Sequence, residues 1–188
     1  MGSLRPYPDE EDYKQTVLHE YWHVFQNAQI SDRRSDDSKV KKVRNEKLTG
    51  DVIKRPWLLE GSATFMALVL YSDEVGHDRE LRRQMLRYSK RSLSNYLKSS
   101  MKLHEFTYDG EERRMAYDIG AWFTAYLVHN EGVEALKDGF YGDLDSLGFT
   151  GSFEKNFGQP PADYVEEFNE FMRKNRRNIK ALTGLFLE

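Results

Sequence analysis

Residues 56–74 read PWLLEGSATFMALVLYSDE, and no other stretch constrains the fold as tightly. Its apolar residues fall on every side of a 3.6-residue period instead of along one stripe. Such a segment is a helix buried on all faces, with other elements packed around it. Pro56 suits the first turn, where a missing N–H leaves no hydrogen bond unmade. One residue breaks the pattern. Glu60 is a carboxylate among apolar neighbours, and burying its charge is expensive unless the group is paired or binds a metal.

The rest of the chain supplies helices to surround this one. Tyr13, Val17, Tyr21, Val24 and Ala28 recur at three- and four-residue steps and predict a helix opening at Pro8 and Asp9. Residues 31–50 are rich in charge, mostly basic, and read as a flexible loop. Residues 78–99 predict a third helix with Leu81, Met85, Tyr88, Ser92 and Tyr96 along one stripe. Its other face, from Arg79 to Arg91, is strongly basic and reads as solvated. A connector over 102–110 carries a possible short strand at 105–108, and a fourth helix follows over 111–129. The glycine-broken stretch 132–158 predicts short helices and tight turns. Pro160-Pro161 opens a last clear helix with Tyr164, Phe168, Phe171 and Met172 inward, and Leu182, Leu185, Phe186 and Leu187 dock behind it. The 188 residues are expected to form one mainly α domain with little or no β-sheet, large enough for a sizeable core.

Composition narrows the function. A net charge of -3 offers no basic footprint for phosphate neutralisation, which disfavours a nucleic-acid partner. Cysteine is absent, so thiol nucleophiles, disulfides and Cys-bearing zinc sites are excluded. The longest apolar run, 65–71, is far short of a membrane span. Residues 1–12 are polar and acidic, without the character of a signal peptide. A cytoplasmic protein and a secreted one that has lost its leader both remain open.

Within the first helix stands His19-Glu20-Tyr21-Trp22-His23, an HExxH string. Two histidines four residues apart project from one helix face and can reach one metal ion. A catalytic zinc site needs three protein ligands and one open position. Glu60 is the expected third ligand, and Gly61 beside it would let the two ligand-bearing helices approach closely. Glu20 is expected as general base and then acid, moving a proton from water to a leaving amine. Tyr117, in MAYDIGAWF, is expected to donate to the developing oxyanion, with His104 and His129 as rival donors.

HEYWH followed by Trp57-Leu58-Leu59-Glu60-Gly61-Ser62-Ala63 resembles the gluzincin metallopeptidases, in which HExxH pairs with a downstream Glu in a W-L-x-E-G-x-A setting. Tyr117-Asp118-Ile119-Gly120-Ala121 is similar to the Tyr-x-x-Gly-Ala segment carrying the transition-state tyrosine in aminopeptidase-type gluzincins. The resemblance covers about residues 13–172 and implies a zincin-like catalytic domain, a Zn2+ cofactor and a peptide or protein substrate. Gluzincins carry a sheet before the HExxH helix, and the aminopeptidases an upstream G-x-M-x-N. Neither is legible before His19, so endopeptidase action is expected. The alternative is a catalytically inactive zinc-bound interaction module lacking a peptide-binding sheet. Thr64 stands where some gluzincins have a supporting Asp, so support for the ligands must come from elsewhere.

Overall fold

The computed structural model describes residues 10–31, 37–75 and 78–185. Among them the fold is helical, with no strand. The mainly α expectation therefore holds. The expected strand at 105–108 is replaced by a 3-10 turn, Leu103–Glu105, and an extended Phe106 with no strand beside it.

Helix α3 (Pro56–Val75) is the axis of the molecule. Residues 56–68 are buried without interruption, as an all-round apolar helix requires. Helix α1 (Glu10–Ala28) and helix α6 (Gly110–Glu131) pack against it. Helix α2 (Ser38–Thr49) precedes α3. Helix α4 (Asp78–Tyr88) runs through one π-helical turn, Ser89–Leu93, into α5 (Ser94–Lys98). A second π-helical segment, Ala135–Tyr141, leads into α7 (Gly142–Phe157), then α8 (Pro161–Asn175) and α9 (Ile179–Leu185). Trp57 anchors the aromatic core, edge-on to Phe123 at 5.3 Å and Phe149 at 5.8 Å between ring centroids. Tyr164, Phe168 and Met172 of α8 and Leu182 of α9 are buried, and half-buried Phe171 packs on Tyr126. Leu185 lies in α9, whereas Phe186 and Leu187 lie outside the described residues, as do Pro8 and Asp9.

The flexible loop expected over 31–50 is corrected. Residues 38–49 form α2, a helix without an apolar stripe, which is why hydrophobic periodicity does not reveal it. Its ends hold it. Asp37 accepts hydrogen bonds from the Lys39 and Val40 amides, and Gly50 takes the left-handed conformation, φ 77°, that closes the last turn. Lys47 bridges to Asp145 of α7 at 2.8 Å, Arg44 bonds the Asn27 side chain of α1 at 2.6 Å, and Leu48 enters the core.

The stripe that reveals α1 faces outward. Tyr13, Val17, Tyr21 and Val24 are 48–65% exposed, the buried face is built from Trp22 and Gln26, and Ile30, just past the helix end, is buried with them. The π-helical turn after α4 also has an identifiable cause. Its widened register presents both Arg91 and Ser92 to the fully buried Asp118 of α6, which accepts from each.

Gly61 opens a close approach, but not the expected one to α1. It meets Gly120 of α6. A Cβ on Gly61 would stand 2.5 Å from the Gly120 Cα, and one on Gly120 only 2.2 Å from the Trp57 carbonyl oxygen. Both distances are far inside van der Waals contact, so the crossing tolerates no side chain at either position. Gly120→Ala is expected to cost about 2–3 kcal/mol through overpacking, a fall in Tm of about 4–12 °C. Gly142 provides the control. Its φ of -63° is helical and an added Cβ meets nothing within 4 Å. Gly142→Ala should raise stability by about 0.4–1 kcal/mol. Thermal melts of the two variants check the opposite signs.

Candidate metal centre

Helix α1 presents His19 and His23 one turn apart, and the first turns of α3 present Glu60 to them. His19 Nε2 lies 3.2 Å and His23 Nε2 3.0 Å from Glu60 Oε2, and the two nitrogens are 3.0 Å from each other. Three donor atoms from distant parts of the sequence thus form a near-equilateral triangle. Ligands about 2.0–2.1 Å from a tetrahedral zinc ion stand about 3.3 Å apart. The two imidazoles and one carboxylate fit such an ion in type, number and spacing. Glu60 is 4% exposed, while the histidine side chains keep 17% and 18%. The centre is closed on the Glu60 side and open on the other.

The surroundings fix which atoms are free to bind. The Gln26 amide nitrogen donates to the Leu59 carbonyl at 2.9 Å and lies within hydrogen-bond reach of the Ser62 and Tyr141 hydroxyls. Its oxygen therefore faces His23 Nδ1, 2.6 Å away, and must accept from it. The proton on Nδ1 leaves the Nε2 lone pair for a metal. On the other side Tyr108 donates to Glu60 Oε1 at 2.6 Å, which directs Oε2 to the histidines. These contacts supply the support that Thr64 does not give, for its hydroxyl makes no hydrogen bond among the described residues.

Burial pushes the Glu60 carboxyl up, but hydrogen bonds with His19, His23 and Tyr108 outweigh it and hold the group far below the usual carboxylate range. Burial lowers His23, yet the hydrogen bond and charge of Glu60 prevail, and the ring titrates above its ordinary 6.5. Burial, reinforced by the bond to Glu60, holds the Tyr108 phenol far above its ordinary value. Burial and the Glu60 carboxylate push Tyr117 up to about 12. Both phenols remain proton donors at neutral pH.

The expected residues are brought together, with two exceptions. Tyr117 stacks on His19, ring centroids 6.0 Å apart and planes 9° from parallel. Glu20 is exposed and shares with His19 and Tyr117 the lining of a cleft of about 470 Å³. The rival donors do not join them. His104 packs edge-on to Trp57. His129 is twelve residues beyond Tyr117 on α6, about 18 Å along the axis. Sequence reasoning missed Gln26 and Tyr108. Gln26 was legible, three residues beyond His23 on the same helix face. Tyr108 sits in an irregular connector, and nothing in its spacing ties it to Glu60.

No protein-family model, curated protein or solved structure matches this chain. Two measurements test the geometry directly. Tyr108→Phe removes a supporting bond and should weaken zinc affinity about 10–100-fold, read by competition with a chromophoric chelator. Because His23 titrates above 6.5, a proton must leave it before metal binds near that pH. Zinc affinity should rise with pH through this range and level off once His23 is neutral. Calorimetry at pH 6.5 in buffers of different ionisation enthalpy should show protons released on zinc uptake.

Proposed function

We propose that this chain is a zinc-dependent peptidase with a zincin-like catalytic domain of the gluzincin kind, acting as an endopeptidase. The observation that carries the reading is the convergence of His19 Nε2, His23 Nε2 and Glu60 Oε2 within 3.0–3.2 Å of one another. Zinc, held by these three residues, would polarise the scissile carbonyl and make a water acidic near neutrality. The other roles belong to the protein. Glu20, at the cleft wall beside His19, takes the proton of the attacking water and returns it to the leaving amine. Tyr117, protonated and stacked beside His19, donates to the carbonyl oxygen as charge builds there. Gln26 holds His23 in the ligating tautomer, and Tyr108 holds Glu60 in a one-oxygen orientation.

One observation favours a second reading, a zinc-bound interaction module without turnover. Among the described residues there is no strand whose edge could pair with a peptide backbone. Metal analysis and casein cleavage separate the two. The peptidase reading expects one zinc per chain in wild type and in Glu20→Gln, with cleavage by wild type alone. Glu60→Ala should lose both metal and activity. Equal cleavage by wild type and Glu20→Gln would sink the mechanism. Full zinc without cleavage by wild type would favour the module.

A further inference from the structure

The cleft lined by His19, Glu20 and Tyr117 is also lined by three arginines. Helix α4 contributes Arg87, the π-helical turn Arg91 and helix α6 Arg113. Among the described residues only two carboxylates, Glu20 and Asp118, line it with them. Asp118 is already committed. It is fully buried, takes two hydrogen bonds from Arg91 and a third from the Ser92 hydroxyl. Arg91 is thereby neutralised and fixed in place.

Arg87 and Arg113 are different. Neither makes an ion pair with a carboxylate among the described residues. Arg113 lies 5.9 Å from the centre of the Tyr117 ring, over its face, and Arg87 stands one turn before Arg91. Arg83 pairs with Glu80 at 2.7 Å, and Arg82 reaches α9 at Gly184.

A second observation concerns neutral groups. Thr64 Oγ1 and Gln15 Nε2 are buried and make no hydrogen bond, and both residues line the same cleft. A buried polar atom without a partner is uncommon in a native fold, and two of the five such atoms among the described residues belong to side chains that line this cleft. A peptide offers amides and carbonyls to such atoms.

We propose that this cleft is a subsite for a carboxylate of the peptide substrate, held by Arg87 and Arg113 beside the bond-cleaving residues. Guanidinium groups match a carboxylate in charge and in fork geometry. The carboxylate comes from an Asp or Glu side chain or from the chain's C-terminus, and the two sources are separable. That the ligand is a peptide rests on the peptidase reading; its charge rests on the two arginines.

The test is fluorescence anisotropy with labelled pentapeptides and the metal-free full chain, so that no turnover intervenes. One peptide carries an internal Asp and an amidated C-terminus, a second replaces Asp by Asn, and a third has no acidic side chain but a free C-terminus. At low salt an acid-bearing peptide should bind about tenfold or more tightly than the Asn amide, as one charge-assisted pair implies. The advantage should shrink as salt is raised. It should disappear in Arg87→Gln/Arg113→Gln, whose fold is checked by circular dichroism. Preference for the first peptide assigns a side-chain carboxylate, and preference for the third a terminal one. Equal binding of all three overturns the proposal, as does a preference that survives in the double variant. Displacement of the acidic peptide by an oligonucleotide of the same charge at equal concentration also overturns it. Zinc stoichiometry and casein cleavage, measured on the zinc-supplemented protein before the metal is removed, keep the two readings apart. Charge preference without zinc sinks only the peptidase reading, and zinc with cleavage but no charge preference sinks only the subsite.

Discussion

The crossing of α3 and α6 at Gly61 and Gly120 is the constraint on which the rest depends. Two backbones meet there without intervening side chains. Glu60 directly precedes one glycine, and Tyr117 lies one turn before the other. The contact that closes the core therefore also sets the distance between the candidate ligand carboxylate and the candidate oxyanion donor. A side chain at either glycine would push α6 outward and carry Tyr117 away from His19. Packing and chemistry share one geometric requirement.

Glu60 then imposes the electrostatics. A carboxylate buried in an apolar helix needs donors, and it has two imidazoles on one oxygen and a phenol on the other. Those partners are themselves anchored. His23 is oriented by Gln26, whose amide reaches the α3 backbone and lies against Tyr141, and Tyr117 is braced by Arg113. The hydrogen bonds that hold Glu60 ionised also raise His23, so a metal ion bound here would compete with protons for the candidate ligand atoms. Preorganised ligands of this kind lose little on binding, because their orientations are already set.

Much of this was legible in the residues, and the gaps have physical causes. Apolar residues on all sides of 56–68 announce a central helix, and HExxH with Glu60 announces the cluster. Helix α2 escaped because its stability comes from Asp37, Gly50 and two cross-links, not from a stripe. The stripe of α1 betrayed the helix but pointed away from the core. The inward face mixes His19, Trp22, His23 and Gln26, a combination of site and core that hydrophobicity alone does not recognise. Gly61 was legible as a close approach, yet its partner was not, because sequence cannot say which helix arrives there. Tyr108 depends on a connector crossing to α3, and long-range placement of irregular backbone leaves no local signature.

The charge on the cleft and the helical character of the fold bear on one another. A peptide laid along a strand edge is held by its backbone, and such binding takes most side chains alike. Among the described residues no strand edge is offered. On the proposed peptidase reading, a peptide in this cleft would be oriented by its side chains or its terminus. The cleft presents two guanidiniums without an ion pair among the described residues, and a buried hydroxyl and a buried amide nitrogen belong to residues that line it. Of these the guanidiniums act over the longest range, and in the proposed subsite they would select for charge. On the proposed peptidase reading, a helical scaffold without a strand edge among its described residues would have in Arg87 and Arg113 a different means of placing one peptide bond next to Glu20.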